Sequence, residues 1–250
     1  MKPGTRKTLT HLAAVCFWIA AWAVASLIVA KPLLLPGPAA VLVRLVELLG
    51  TAEFWRCTLT SLGRVLLGVV CAALLGVLLA ALCERFAPVK AAVSPLLTVI
   101  KSTPVASFTI LVLIWLSRDV VPAFISTLIV LPVVWANVSA GIRGIDPQLL
   151  ELARACRLSR RRTLRRIRVP AVLPQFRAAL RSALGFGWKA GVAAEVLTLP
   201  RQSIGRMIYE SKLYLETVDL FAWTAAVVLL SLGIELLLLR LLAGRRERDA

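Results

Sequence analysis

Residues 65–83 read VLLGVVCAALLGVLLAALC, nineteen consecutive positions without a charged side chain. An α-helix needs roughly 20 apolar residues to cross a bilayer core about 30 Å thick, so this stretch is long enough to span a membrane. Residues 12–30 and 120–142 are uncharged over a similar length. Three further windows reach that length with one or two charged residues each: 91–116, 182–199 and 220–239. The sequence therefore predicts an all-α, polytopic membrane protein.

The six windows predict one transmembrane domain over residues 1–250, because 59% hydrophobic residues and a mean hydropathy of +0.84 exceed what a soluble core uses. A signal peptide is the alternative for the first window, but its nineteen uncharged residues favour a retained helix. We expect six membrane-spanning helices and a cytoplasmic segment between the fourth and fifth. The predicted helices are 12–30, 63–83, 93–116, 120–142, 178–199 and 220–240, and the cytoplasmic segment is 143–174.

Lysine and arginine are sorted between the two sides of the predicted membrane. With the N-terminus inside, 20 of the 30 lysines and arginines fall in inner segments, eleven of them from Arg143 to Arg181, whereas seven fall in outer segments. An excess of these residues in cytoplasmic loops sets the orientation of membrane proteins. We therefore expect both termini to be cytoplasmic.

Six arginines lie between residues 160 and 168. Such a run can bind the phosphates of a nucleic acid. Beside a membrane, however, it is more typical of a topology determinant that contacts anionic lipid headgroups. We therefore expect membrane lipid, and no nucleic acid, at this segment.

The segment 143–174 contains its own helix start. Asp146 can cap free backbone amides, and Pro147 loses no hydrogen bond at the first helical position. An apolar face on a helix outside the membrane must be covered by the protein itself or by a partner. The residues that line this face are Leu149, Leu152, Ala153 and Cys156.

This segment resembles the signature of ABC-importer permeases, which reads Glu-Ala-Ala, three residues, Gly, nine residues, Ile, one residue and Leu-Pro. At that spacing the matching residues are Glu151, Ala153, Ile167 and Pro170. Leu152, Arg157 and Val169 depart from the signature. Arg157 stands at the glycine of a left-handed turn, which costs a non-glycine residue about 1 kcal/mol. The departure concerns how the two short helices cross, and the docking face is kept.

Other stretches are similar to permeases of the nitrate, sulfonate and taurine type: Thr60-Ser61 with Arg64 and Gly68, Ser102 to Pro104, and Ala193 to Glu195 with Ile204-Gly205. The resemblance implies a homodimer in a bacterial inner membrane, two cytoplasmic ABC ATPase subunits and an extracytoplasmic solute-binding protein. It also implies that the ATPase docks on the segment around Glu151. The residues expected at that contact are Leu149, Glu151, Leu152, Ala153, Cys156 and Arg157.

The source of energy distinguishes this interpretation from its rivals. The sequence has no Gly-rich loop ending in Gly-Lys-Ser or Gly-Lys-Thr, so we expect no cofactor in this chain and ATP hydrolysis in a partner. A secondary transporter or channel is the main alternative, but the helices offer few ionisable candidates for a relay, namely Lys101, Lys189, Glu195 and Glu235. An intramembrane enzyme is a weaker alternative still, since the predicted helices contain no catalytic or metal-binding constellation.

Lys189 and Glu195 are candidates for the solute path. Both lie in the fifth predicted helix, and both are costly to place against lipid, so we expect them to face the protein interior. We expect Lys189 to border the path and Glu195 to help close its outer gate. A structural polar contact between helices is the alternative role. The identity of the solute stays open.

Overall fold

The computed structural model describes the backbone of residues 3–243 and the side chains of residues 13–237. Within that part of the chain the regular secondary structure is helical. The helices are α1 (Pro3–Val29), α2 (Pro38–Leu49), α3 (Ala52–Arg85), α4 (Ala87–Ser102), α5 (Val105–Val112), α6 (Val121–Arg143), α7 (Pro147–Ala155), α8 (Arg160–Thr163), a π-helical turn (Leu164–Arg168), α9 (Val169–Thr198), α10 (Ile204–Leu213) and α11 (Thr217–Ala243).

Three of the described helices, α3, α6 and α11, are long and apolar enough to cross a membrane. The bent pair α4 and α5 would make a fourth crossing if it acts as one span. The apolar part of α1, Ala13–Val29, is shorter. The structure thus gives three to four candidate spans in a multi-pass, all-helical protein.

The core forms where α6 packs extensively against α3 and α9. The helices approach closely because small residues lie at the contacts. A Cβ atom at Gly68 of α3 would lie 2.4 Å from the Ala123 carbonyl oxygen of α6. Helix α9 is central in this packing, and its stripe of small residues is buried: Ala179, Ala183, Gly187 and Gly191.

The predicted helix over 93–116 is interrupted in the structure. The chain forms α4 and α5 instead, and their axes differ by 106°. Pro104 has no amide hydrogen to continue the helix, and it disfavours helical backbone at Thr103, whose φ and ψ are −86° and 131°. Pro132, in contrast, lies inside the continuous helix α6. The presence of a proline therefore does not by itself predict whether a helix breaks.

Two predicted helices extend further than their apolar windows. Helix α3 begins at Ala52, because the Thr51 hydroxyl caps it by accepting a hydrogen bond from the Phe54 amide at 3.2 Å. Helix α9 begins at Val169, directly after the π-helical turn. Hydropathy marks the part of a helix that suits lipid, whereas capping residues set its ends.

The long helices define two ends of the molecule. At one end α2 packs against α11, and the Arg44 guanidinium donates hydrogen bonds to both carboxylate oxygens of Asp219, at 2.6 and 2.9 Å. Glu195 and α10 lie at the same end, so we call it the Glu195 end. At the opposite end Arg143 forms an ion pair with Glu84, and α7 follows. We call this the Arg143 end.

Candidate functional site

Helix α7 forms as the sequence predicts. The Asp146 carboxylate accepts a hydrogen bond from the Gln148 amide at 2.8 Å, and Pro147 occupies the first turn. The helix runs to Ala155 and lies between α6 and α8 along the chain. A short helix with its own cap is a pre-formed element that a partner can bind without first ordering it.

The apolar residues of α7 divide into two groups. Leu149 and Leu152 are 46% and 59% exposed, and Cys156 beside them is exposed. Ala153 is only 3% exposed, so this chain already covers it. Glu151 is exposed as well. The face open to a partner therefore consists of the two leucines and Cys156, and Ala153 belongs to the contact between α7 and its own chain.

Arg157 occupies the left-handed region that its place in the signature predicts, with φ = 49°. The Leu158 amide donates to the Ala153 carbonyl, and the Arg157 amide donates to the Arg154 carbonyl, both at 2.9 Å. This pair of bonds is the Schellman arrangement that ends a helix. The turn is kept without glycine, and the Arg157 side chain is exposed.

Lys189 lies on the side of α9 that faces away from α6. Its side chain is exposed in this chain. It lines a cleft of about 210 Å³ between α9 and α11, together with Arg181, Ser182, Ser231 and Glu235 among others. We expected Lys189 to face the protein interior, and within this single chain its side chain is not covered. Arg181, Ser182 and Lys189 form a polar stripe on α9. If α9 crosses a bilayer, a second protein surface or water must cover this stripe.

Glu195 is fully buried and occupies a different place from Lys189. The Ser61 hydroxyl and the Gly205 amide both donate to its Oε2 atom, at 2.7 and 3.2 Å. The Arg64 guanidinium lies 3.4 Å from its Oε1 atom. A buried carboxylate with three donors is satisfied and holds α3, α9 and α10 together.

Arg64 extends this network to the chain between α5 and α6. Its Nη2 atom donates to Asp119 at 2.8 Å and to the Arg201 carbonyl at 2.9 Å. We call Ser61, Arg64, Asp119, Glu195 and Gly205 the Glu195 cluster. The sequence marks Ser61, Arg64 and Gly205 only through the resemblance, and it gives no signal for the part that Asp119 plays.

A family model matches residues 72–248, and its description is binding-protein-dependent transport system inner membrane component. The match covers well over half of the sequence and includes both α7 and Glu195. The chain belongs to this family.

The permease is also similar to individual members. It is 26% identical over 221 residues to the taurine transport system permease protein TauC of Escherichia coli, covering 86% of this chain and 80% of that protein. It is 28% identical over 208 residues to the putative aliphatic sulfonates transport permease protein SsuC of Bacillus subtilis, covering 82% and 74%. The nitrate import permease protein NrtB of Leptolyngbya laminosa is 31% identical over 148 residues, covering 58% and 52%.

Two solved structures share the fold of the permease. A chain of a bacterial alginate ABC transporter, solved with a periplasmic protein that binds an alginate pentasaccharide, gives a TM-score of 0.61 at 18% identity. That match covers 94% of this chain and 93% of the other. An amino acid ABC transporter chain gives 0.60 at 18% identity, covering 83% and 96%. With the family match, the function is that of an ABC-importer permease, a transport subunit and not an enzyme, which decides against a secondary transporter or channel.

Proposed function

We propose that the permease works as a homodimer of six-helix subunits, with α7 as its contact to a separate ABC ATPase. The observation that supports the contact is the open face of α7. Leu149 and Leu152 are large apolar side chains, each about half exposed, on a capped helix that lies beyond the Arg143 end of α6. Apolar residues grouped on a pre-formed helix are typical of a protein-binding surface.

The test of this contact is Leu152→Arg. A charged side chain in a dry contact costs several kcal/mol, so the ATPase should be lost when the permease is purified. Leu152→Met keeps the apolar volume and should retain the ATPase. Light scattering should give two copies of the 27.1 kDa chain for both variants, which shows that the membrane part is intact. Full retention of the ATPase by a dimeric Leu152→Arg variant would contradict the proposal.

Two other α7 positions have smaller or less specific effects. Glu151 is exposed, and an exposed ion pair contributes less than about 1 kcal/mol, so Glu151→Ala should weaken ATPase retention only modestly. Ala153 is covered by its own chain, so Ala153→Arg would disturb the permease itself as well as any partner contact. Leu152 is therefore the sharper position to change.

The solute path follows the exposed stripe of α9. Arg181 and Lys189 are two helical turns apart, roughly 12 Å, and line the same cleft. Two cations on one stripe favour a solute with an anionic group. This agrees with relatives that are named for taurine, aliphatic sulfonates and nitrate. A second permease subunit across this stripe would keep the charges away from lipid.

Lys189→Met tests the path. The variant removes the charge and keeps a long, flexible side chain. The measurements are uptake of labelled taurine, uptake of labelled nitrate and the basal ATPase activity of the purified complex. At least one of the three should change in the variant. Lys212→Met is the control, because Lys212 is exposed at the end of α10, away from the cleft. Unchanged uptake and unchanged ATPase activity for Lys189→Met would show that Lys189 does not border the path.

Glu195 helps to close the solute path at the end of the molecule where α10 lies. It does so through the Glu195 cluster, which joins α3, α9 and α10 around a buried carboxylate. The cluster is a contact between helices, and opening that end requires its hydrogen bonds to be broken. The Glu195 end faces the binding protein, whereas the Arg143 end and both termini face the cytoplasm, as the distribution of lysine and arginine favours.

A further inference from the structure

The arginine segment, residues 160–168, comprises α8 and the π-helical turn. Thr163 and Ile167 are half-buried, so this side of the segment faces the protein. None of its arginines forms an ion pair with a carboxylate among the described side chains of residues 13–237. The exposed arginines are Arg160, Arg161, Arg162, Arg165, Arg166 and Arg168.

The packing of α6 on α9 gives the depth of this segment. A Cβ atom at Gly141 would lie 3.2 Å from Gln175 and 3.3 Å from Val172, so these residues are at one level. The apolar part of α6 ends directly afterwards at Arg143. Arg168 precedes Val172 by one turn and Arg165 by about two, which places them roughly 6 and 10 Å further out. The headgroup layer begins at the edge of the apolar core and is about 5 to 8 Å thick.

Apolar side chains are interspersed with the arginines. Leu164 and Val169 are each 50% exposed. A soluble anion or a nucleic acid would leave them in water, whereas the boundary between headgroups and acyl chains accommodates both cations and apolar groups. The segment also continues directly into α9, so it cannot move far from the membrane surface.

We propose that the arginine segment binds the headgroups of anionic phospholipids in the leaflet at the Arg143 end. Guanidinium groups match phosphate oxygens with paired hydrogen bonds, and each cation near an anionic surface adds to the attraction. Val169, three residues before Val172, lies nearest the acyl region beside the bound headgroups. The site does not depend on the ATPase contact of α7, so the two proposals can fail separately.

Native mass spectrometry of the purified full-length permease tests this site. The protein is titrated with phosphatidylglycerol or with phosphatidylcholine, and the retained lipids are counted. The variant Arg161→Gln/Arg162→Gln/Arg165→Gln/Arg166→Gln should bind phosphatidylglycerol about tenfold or more weakly. Its binding of phosphatidylcholine should not change. High salt should remove the preference of the unmodified protein for phosphatidylglycerol.

A matched control removes four exposed cations from the other end of the protein, by Arg56→Gln/Arg118→Gln/Arg201→Gln/Lys212→Gln. This control should keep the phosphatidylglycerol preference at the Arg143 end. Equal losses in both variants would overturn the proposal, because they would reflect total charge. Displacement of the lipid by inorganic phosphate at equal concentration would overturn it too. If the fourfold variant does not insert, Arg162→Gln/Arg166→Gln should show a smaller loss of the same kind, and no loss would contradict the site.

Discussion

Gly205 allows α10 to pack directly against α9 at the Glu195 cluster, because glycine has no Cβ atom. A Cβ atom there would lie 2.4 Å from the Glu195 Cβ and 2.5 Å from the Val196 amide nitrogen. Both distances are far below van der Waals contact, and neither atom can move without moving the α9 backbone. The Gly205 amide also donates to Glu195 at 3.2 Å, so any displacement of α10 weakens that bond.

Gly205→Ala should therefore destabilise the closed Glu195 end. We expect a loss of about 1–3 kcal/mol in the free energy of unfolding, as for other overpacked sites, and a lower Tm. Cys57 is 2% exposed one turn from Ser61, and it reports on opening when the other four cysteines are replaced by alanine. An impermeant thiol reagent should label Cys57 faster in Gly205→Ala.

Gly63→Ala is the control for that experiment. Gly63 lies in α3 at the same end, and a Cβ atom there would meet nothing within 4 Å. The substitution should be neutral or slightly stabilising, because alanine favours a helix over glycine by about 0.5–1 kcal/mol. If the Tm and the Cys57 labelling rate were the same in both variants, the Glu195 cluster would not hold this end closed.

The sequence singles out several residues of the Glu195 cluster, but it does not predict that they contact one another. The sequence shows that Glu195 is costly in a membrane, which identifies it as a residue that needs partners. Ser61 and Glu195 are separated by 134 positions, and their contact depends on the close packing of α3 and α9. Arg157 is the opposite case. Its left-handed backbone is what the resemblance implies, because Arg157 stands at the glycine of the signature.

At the scale of the helices, hydropathy predicts where apolar segments lie in the sequence. It does not predict whether each segment forms one straight helix. Helices α3, α6 and α11 overlap predicted windows, although α3 begins earlier than its window. The window 93–116 also exists, but it is divided between α4 and α5. In a membrane, a break at Thr103 and Pro104 must be buried in protein or line a water-filled cavity, and neither has a signature in a local window.

The orientation of these helices is open to a direct test. Single cysteines are placed at Gln202 and at Arg161 in a background without the native thiols. Both positions are exposed, and they lie at opposite ends of the molecule. Because the excess of lysine and arginine favours a cytoplasmic Arg143 end, an impermeant reagent should label position 202 in intact cells and miss position 161. Labelling in the reverse pattern would refute the orientation.

For the whole molecule, the two ends have different properties. The Glu195 end is held by buried and partly buried ion pairs, including Arg64 with Glu195 and Arg44 with Asp219. The Arg143 end carries exposed features, namely the open face of α7 and the arginine segment. Under the proposed function a separate ATPase needs an exposed surface to bind, and the open face of α7 at the Arg143 end is the surface proposed for it.

Hydrogen–deuterium exchange on the permease, alone and in complex with its ATPase, tests that claim most directly. The amides of residues 147–158 should exchange more slowly in the complex, since ATPase binding would cover Leu149 and Leu152 and suppress opening of α7. The amides of residues 200–216, at the Glu195 end, should not gain protection from the ATPase. Unchanged exchange over 147–158, or protection by the ATPase that falls at 200–216 instead, would contradict the account.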